Sequence, residues 1–98
     1  MVKYQLTDEA ARDVEKILAY SVDSFGVTQT EHYFEALKAC IKLLADNPNI
    51  GHSAEDILPE YLRFPYESHV IFYKKFTSSI LVVRILHARM DPKLHIKK

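Results

Sequence analysis

Histidines stand at 32, 52, 69, 87 and 95, beside one cysteine, Cys40; these are the residues best suited to proton transfer or metal binding. An imidazole changes charge near neutral pH and can act as acid, base or ligand. No pair of the five has a recognised zinc-ligand spacing, and Cys40 falls on the apolar stripe of a helix, so the pattern implies no metal site. His69 and His87 lie in β-rich segments, where a histidine ordinarily serves as a hydrogen-bonded structural residue. Arg84 interrupts the apolar run Ile80–Leu86. An arginine buried there must be paired, with Glu67 or a helix carboxylate; the other reading is a contact to a partner. Arg89 and Asp91 flank Met90 just beyond that run. They form either a solvated turn with Pro92, or an exposed end where the arginine fork meets phosphate. Arg63 and Lys93 complete the set of cations placed to touch another macromolecule.

The elements that position these groups follow from periodicity and caps. Val2–Leu6 alternates apolar and polar residues and predicts a short strand. Thr7 can cap a following helix, with Asp8 and Glu9 at its positive end. Ala10, Ala11, Val14, Ile17, Leu18, Val22 and Phe25 recur at helical spacing and predict a buried stripe that Gly26 terminates. Thr28 and Glu31 have capping-box spacing for a second helix, whose stripe is Tyr33, Leu37, Cys40, Ile41 and Leu44 and which Asn47-Pro48 stops. So short a link forces an antiparallel helical hairpin. Residues 47–59 read as a loop. Tyr61–Pro65, His69–Phe76 and Ile80–His87 then read as strands with hairpin-length joints, the last apolar enough to be covered on both faces. Asp91-Pro92 breaks the third strand, leaving Lys93–Lys98 as a basic tail. The order is β-α-α-β-β-β, an α+β fold with a helical hairpin packed on an antiparallel sheet.

The chain has 98 residues, the size of one domain spanning 1–98. Apolar residues make up 48% and charged residues 27%, the balance of a globular chain rather than a disordered one. No apolar run approaches the ~20 residues needed to span a bilayer, Met1–Tyr4 does not begin a signal peptide, and a single cysteine allows no internal disulfide. These features lead to the cytoplasm as the expected location. Net charge is zero, but residues 1–50 hold five Lys/Arg and eight Asp/Glu, and residues 51–98 the reverse. Nucleic acid would therefore be met only through a local basic patch, expected on the sheet side.

Several segments resemble the ParE branch of the RelE/ParE toxin superfamily: Leu6-Thr7-Asp8-Glu9-Ala10, Leu44 to Gly51, Leu62-Arg63-Phe64-Pro65 with His69 to Tyr73, and above all Val83 to Asp91. The resemblance implies the toxin component of a type II toxin–antitoxin system, encoded beside a cognate ParD-like antitoxin, a ribbon-helix-helix protein with a helical tail. It implies DNA gyrase as the target, trapped on cleaved DNA so that replication is blocked. It implies no cofactor and no reaction catalysed by the toxin itself. The expected target contacts are Arg63, Arg84, His87, Arg89, Asp91 and Lys93. Tyr20, Phe25, Tyr33 and Phe34 would otherwise be core, but a hairpin over a sheet leaves a groove; with Tyr73 they are the expected antitoxin contacts.

The RelE branch shares the fold but cleaves messenger RNA on the ribosome, which requires a proton acceptor, a proton donor and cations for the phosphate. Here 49–60 holds no Lys or Arg and carries Glu55, Asp56 and Glu60. Val70 stands where that branch has a strand arginine, and only Arg89 and His95 approach its late residues. A ribosome-dependent endoribonuclease is thus the alternative, and a toxin-fold binding protein without toxicity is a third.

Overall fold

Thr7 begins the helical layer and joins it to the sheet. Its hydroxyl oxygen accepts from the Ala10 N–H at 3.0 Å and its proton goes to the Val83 carbonyl at 2.8 Å. The structure, a computed structural model, describes residues 3–96. Helix α1 runs Asp8–Phe25 and helix α2 Val27–Asp46. Gly26 alone links them at φ 87°, a backbone conformation that glycine adopts without steric cost. Asn47 caps α2, its N–H returning to Leu43 O. Thr30 donates its hydroxyl proton to Gly26 O at 2.8 Å and its oxygen meets the Ser21 hydroxyl at 2.7 Å, a buried bond that pins the two helices where they diverge from Gly26.

Five strands form one sheet: β1 (Tyr4–Leu6), β2 (His52–Ser53), β3 (Tyr61–Tyr66), β4 (His69–Lys75) and β5 (Ile80–His87), in the spatial order β1-β5-β4-β3-β2. The three later strands and the hairpin stand as expected. Two features differ. β1 pairs parallel with β5, so the sheet is mixed rather than wholly antiparallel. Strand β2, with His52 opposite Arg63, falls inside the segment expected to be a loop. Two residues are too short a run to show a period in the sequence. The expected strand residue Val2 and the tail residues Lys97 and Lys98 lie outside the described residues.

The helices cover one face of the sheet, where Ala10, Leu37, Ile41 and Leu44 pack against Ile71, Tyr73, Ile80, Val82 and Ile85. On the other face Ala54, Phe72, Val83, Leu86 and Ile96 form a second cluster, flanked by Ile57 and Leu58. β5 is thus covered on both sides. Ile96 reaches this cluster from a single helical turn, α3 (Pro92–His95), so the expected solvated tail is partly an anchor. The buried face of α1 also differs from the expected stripe. Ala10, Asp13 and Ser21 are buried, whereas Ala11 is exposed and Val22 and Phe25 are 40% and 58% exposed. The apolar residues at the far end of α1 have no sheet beneath them.

Tyr73, expected as an antitoxin contact, is fully buried and offers no surface. Its hydroxyl donates to Pro48 O at 2.8 Å and accepts the Gly51 N–H at 3.1 Å, closing the turn after α2. A Cβ at Gly51 would overlap that hydroxyl, which is why glycine stands there.

The layers are joined through Asp13. β1 ends at Leu6, and beyond Val82 the outer edge of β5 has no strand partner among the described residues. A bulge between the β4 pairs Phe72↔Arg84 and Tyr73↔Val82 leaves Val83 unpaired across the ladder and re-aims Arg84. Asp13 Oδ2 accepts from Arg84 Nε at 2.7 Å and from the Ile85 N–H at 2.9 Å, and Oδ1 accepts from Arg84 Nη2 at 2.9 Å. Arg84 Nη1 donates to His95 O at 2.7 Å, tying down the C-terminal turn. Arg84, expected as a target contact, is therefore held inside the fold, paired with a helix carboxylate and not with Glu67. The side chains are only 18% and 9% exposed. Replacing one partner strands the other in a dry site. Asp13→Ala and Arg84→Ala should each lower the unfolding free energy by about 3–5 kcal/mol in urea titrations, and the double apolar variant Asp13→Leu/Arg84→Met by less than the sum.

Candidate functional site

Where α1 runs past the end of the sheet, its last turns, the start of α2 and the β3–β4 turn enclose an open groove of about 540 Å³. Ile17, Tyr20, Phe25 and Tyr33 give it an apolar wall, and Lys16, Ser21, Gln29, Glu67, Ser68, His69 and His87 supply polar groups. Tyr20 is 68% exposed. Large aromatics left open on contiguous surface single the groove out as the candidate site.

The groove floor is ordered by an aromatic relay. His69 and His87 face each other across the β4–β5 ladder, their rings edge to face with centroids 5.4 Å apart. The Tyr33 hydroxyl lies 3.2 Å from His69 Nδ1, and the Tyr33 and Tyr66 rings meet at 5.8 Å. Burial, with nearby Tyr66 and Glu67, pushes the Tyr33 phenol up to about 12, so at neutral pH it keeps its proton. Burial pulls the His69 imidazole below its usual 6.5, and His87 adds to this while Asp13 opposes it. His87 Nδ1 accepts the Arg89 N–H at 3.1 Å.

Among the expected antitoxin contacts, Tyr20, Phe25 and Tyr33 line the groove. Phe34 does not; it is half-buried on α2 beneath the Lys38 ammonium, 4.6 Å from its ring centre. The expected target contacts are scattered. His87 is in the groove. Arg89 and Lys93 are exposed. Asp91 is a helix cap, its carboxylate accepting the Lys93 N–H at 3.0 Å. Arg63 stands on the opposite face, ion-paired with Asp56, whose carboxyl it holds below the usual range, and over the Phe72 ring. The cations therefore do not form one patch. Lys16, Ser21, Gln29 and Ser68 are groove residues that the sequence alone did not single out, and Glu67 and His69 were read there only as structural residues. Lys16 and Tyr20 are one helical turn apart, which is the signal that an exposed face of α1 was available.

Chemically, the groove offers hydrogen-bond donors, one carboxylate and an aromatic wall. Among the described residues no three His, Cys, Asp or Glu side chains converge as metal ligands, and no helix is long and apolar enough to cross a membrane.

Because His69 binds its proton less readily in the folded chain, the unfolded state holds more protons as pH drops. Its contribution to stability is full above about 6.5 and is lost as pH falls from there toward the lower folded value. His69→Gln should flatten the decline in stability between pH 7 and 5, read as the difference between the two denaturation series.

A family model described as the ParE toxin of type II toxin-antitoxin system, parDE, matches residues 4–92. Toxin ParE1 of Caulobacter vibrioides is 32% identical over 96 residues, covering 98% of this chain and 99% of that one. Toxin ParE1 of Mycobacterium tuberculosis is 38% identical over 90 residues, 91% of this chain and 92% of that one. A chain solved as the chromosomal ParDE TA system from P. aeruginosa superposes with a TM-score of 0.74 at 19% identity, covering 89% of this chain and 96% of its own, a likeness of fold.

Proposed function

This chain belongs to the ParE toxin family of type II toxin–antitoxin systems, and on that premise we propose that it acts in the cytoplasm by binding DNA gyrase, blocking replication until a ParD-like antitoxin occupies the aromatic groove. The observation that carries the antitoxin half is the groove wall, with Tyr20 and Phe25 standing 68% and 58% exposed beside Tyr33. A helical tail laying its apolar face there would remove those rings from water, each contributing roughly 1.5–3 kcal/mol before the costs of association. The gyrase half rests on the likeness to the ParE branch, carried mainly by the segment Val83 to Asp91, together with the exposed cations Arg89 and Lys93.

Cleavage of RNA is the reading that the Tyr33–His69–His87 cluster would favour, since it places proton carriers together. What argues against it is the state of the cations: Arg84 is consumed by Asp13, and Arg63 faces the other side of the sheet beside Asp56.

Purified protein should stabilise gyrase-cleaved plasmid DNA while primer extension on cellular transcripts shows no new ends. Gyrase left untouched at molar excess would refute the target, and transcript cuts lost on Arg89→Ala would establish the ribonuclease instead. Tyr20→Ala and Phe25→Ala should each weaken antitoxin binding about ten- to hundredfold by calorimetry.

A further inference from the structure

The groove carries a second, polar instruction for whatever fills it. The Arg89 N–H donates to His87 Nδ1, so that nitrogen must present a lone pair, and the neutral ring carries its proton on Nε2. That Nε2–H has no acceptor among the described residues and is not a buried atom left without a partner, so it is open to solvent in the groove. Lys16, exposed on α1 and lining the same groove, forms no ion pair among the described residues. The only carboxylate in the lining is Glu67, at the exposed β3–β4 turn. An occupant that excludes water and brings only apolar groups would leave a donor unsatisfied, at a cost comparable to a lost hydrogen bond. An occupant with a carboxylate there makes a hydrogen bond strengthened by its charge, in a groove that the Lys16 ammonium also lines. A basic side chain would meet Lys16 with like charge.

We infer that the groove selects a helical antitoxin segment whose apolar side chains cover Tyr20, Phe25 and Tyr33 and whose single acidic side chain accepts from His87 Nε2–H beside Lys16. This rests on the groove being the antitoxin site. His87 and Lys16 are then the residues that distinguish a cognate tail from an equally apolar one lacking the acid. Glu67, the one carboxylate in the groove lining, opposes an incoming acid by like charge.

The test is calorimetry with the full-length antitoxin encoded beside this chain, each Asp and Glu of its tail changed in turn to the amide. One such change should weaken binding about tenfold or more against the native toxin, and have little further effect against His87→Phe or Lys16→Met. Lys16→Met, at an exposed helix position, serves even if His87→Phe disturbs the strand end. Glu67→Gln should tighten binding a few-fold. If no acidic change matters, if acidic changes add independently to both toxin variants, or if Glu67→Gln loosens the complex, the inference is overturned. In that event weaker binding by Tyr20→Ala and Phe25→Ala would leave the groove assignment standing, whereas full-strength binding by both would bring down the two together.

Discussion

The fold turns on one buried carboxylate. Asp13 sits where the parallel strand β1 has ended and β5 continues without a neighbour, and it takes over the work of a strand by accepting the Ile85 N–H. The same carboxylate grips Arg84, which reaches on to His95 O and so fastens the C-terminal turn. Three segments far apart in sequence, α1, β5 and α3, are thereby held at one point. A buried ion pair is weak evidence of net stability, because desolvation offsets much of the Coulombic gain. Its consequence here is geometric: it determines the height and rotation of α1 over the sheet.

From that placement the groove follows. With Asp13 and Ala10 turned to the sheet, the helix presents Ser21 inward two turns later, where Thr30 meets it. Small polar residues let the two helices approach closely at their junction, and Tyr20 and Phe25 are left facing outward. β3 and β4 turn back at Glu67, so no strand lies below the last turns of α1. The residues that fill the space instead are Tyr33, Tyr66, His69 and His87, which pack edge to face and ring to ring. The groove wall is mostly apolar, yet its floor keeps hydrogen-bonding groups in defined orientations.

A protein that stabilises charge on a phosphate aims several cations at one place. Here Arg84 is spent on architecture, Arg63 leans on Phe72 beside Asp56, and Arg89 and Lys93 lie in the segment after β5. The basic second half of the sequence is thus divided between the two faces and the interior of the molecule.

Local signals in the sequence were sufficient for the order of the six main elements, the Thr7 cap, the break at Gly26, the stop at Asn47 and the three later strands, because caps, turns and periodicity act over a few residues. Resemblance to a family was legible for the same reason, in contiguous segments. The pairing of β1 with β5, the two-residue β2, the rotation of α1 and the meeting of His69 with His87 were settled only by the tertiary structure. Each depends on groups far apart in the chain: Asp13 and Arg84 are separated by 71 positions and Tyr33 and His69 by 36. Hydropathy places Val22 and Phe25 inside and Asp13 outside. The folded chain reverses this because an arginine and a free strand edge await the carboxylate, while the sheet ends before it can reach the aromatics.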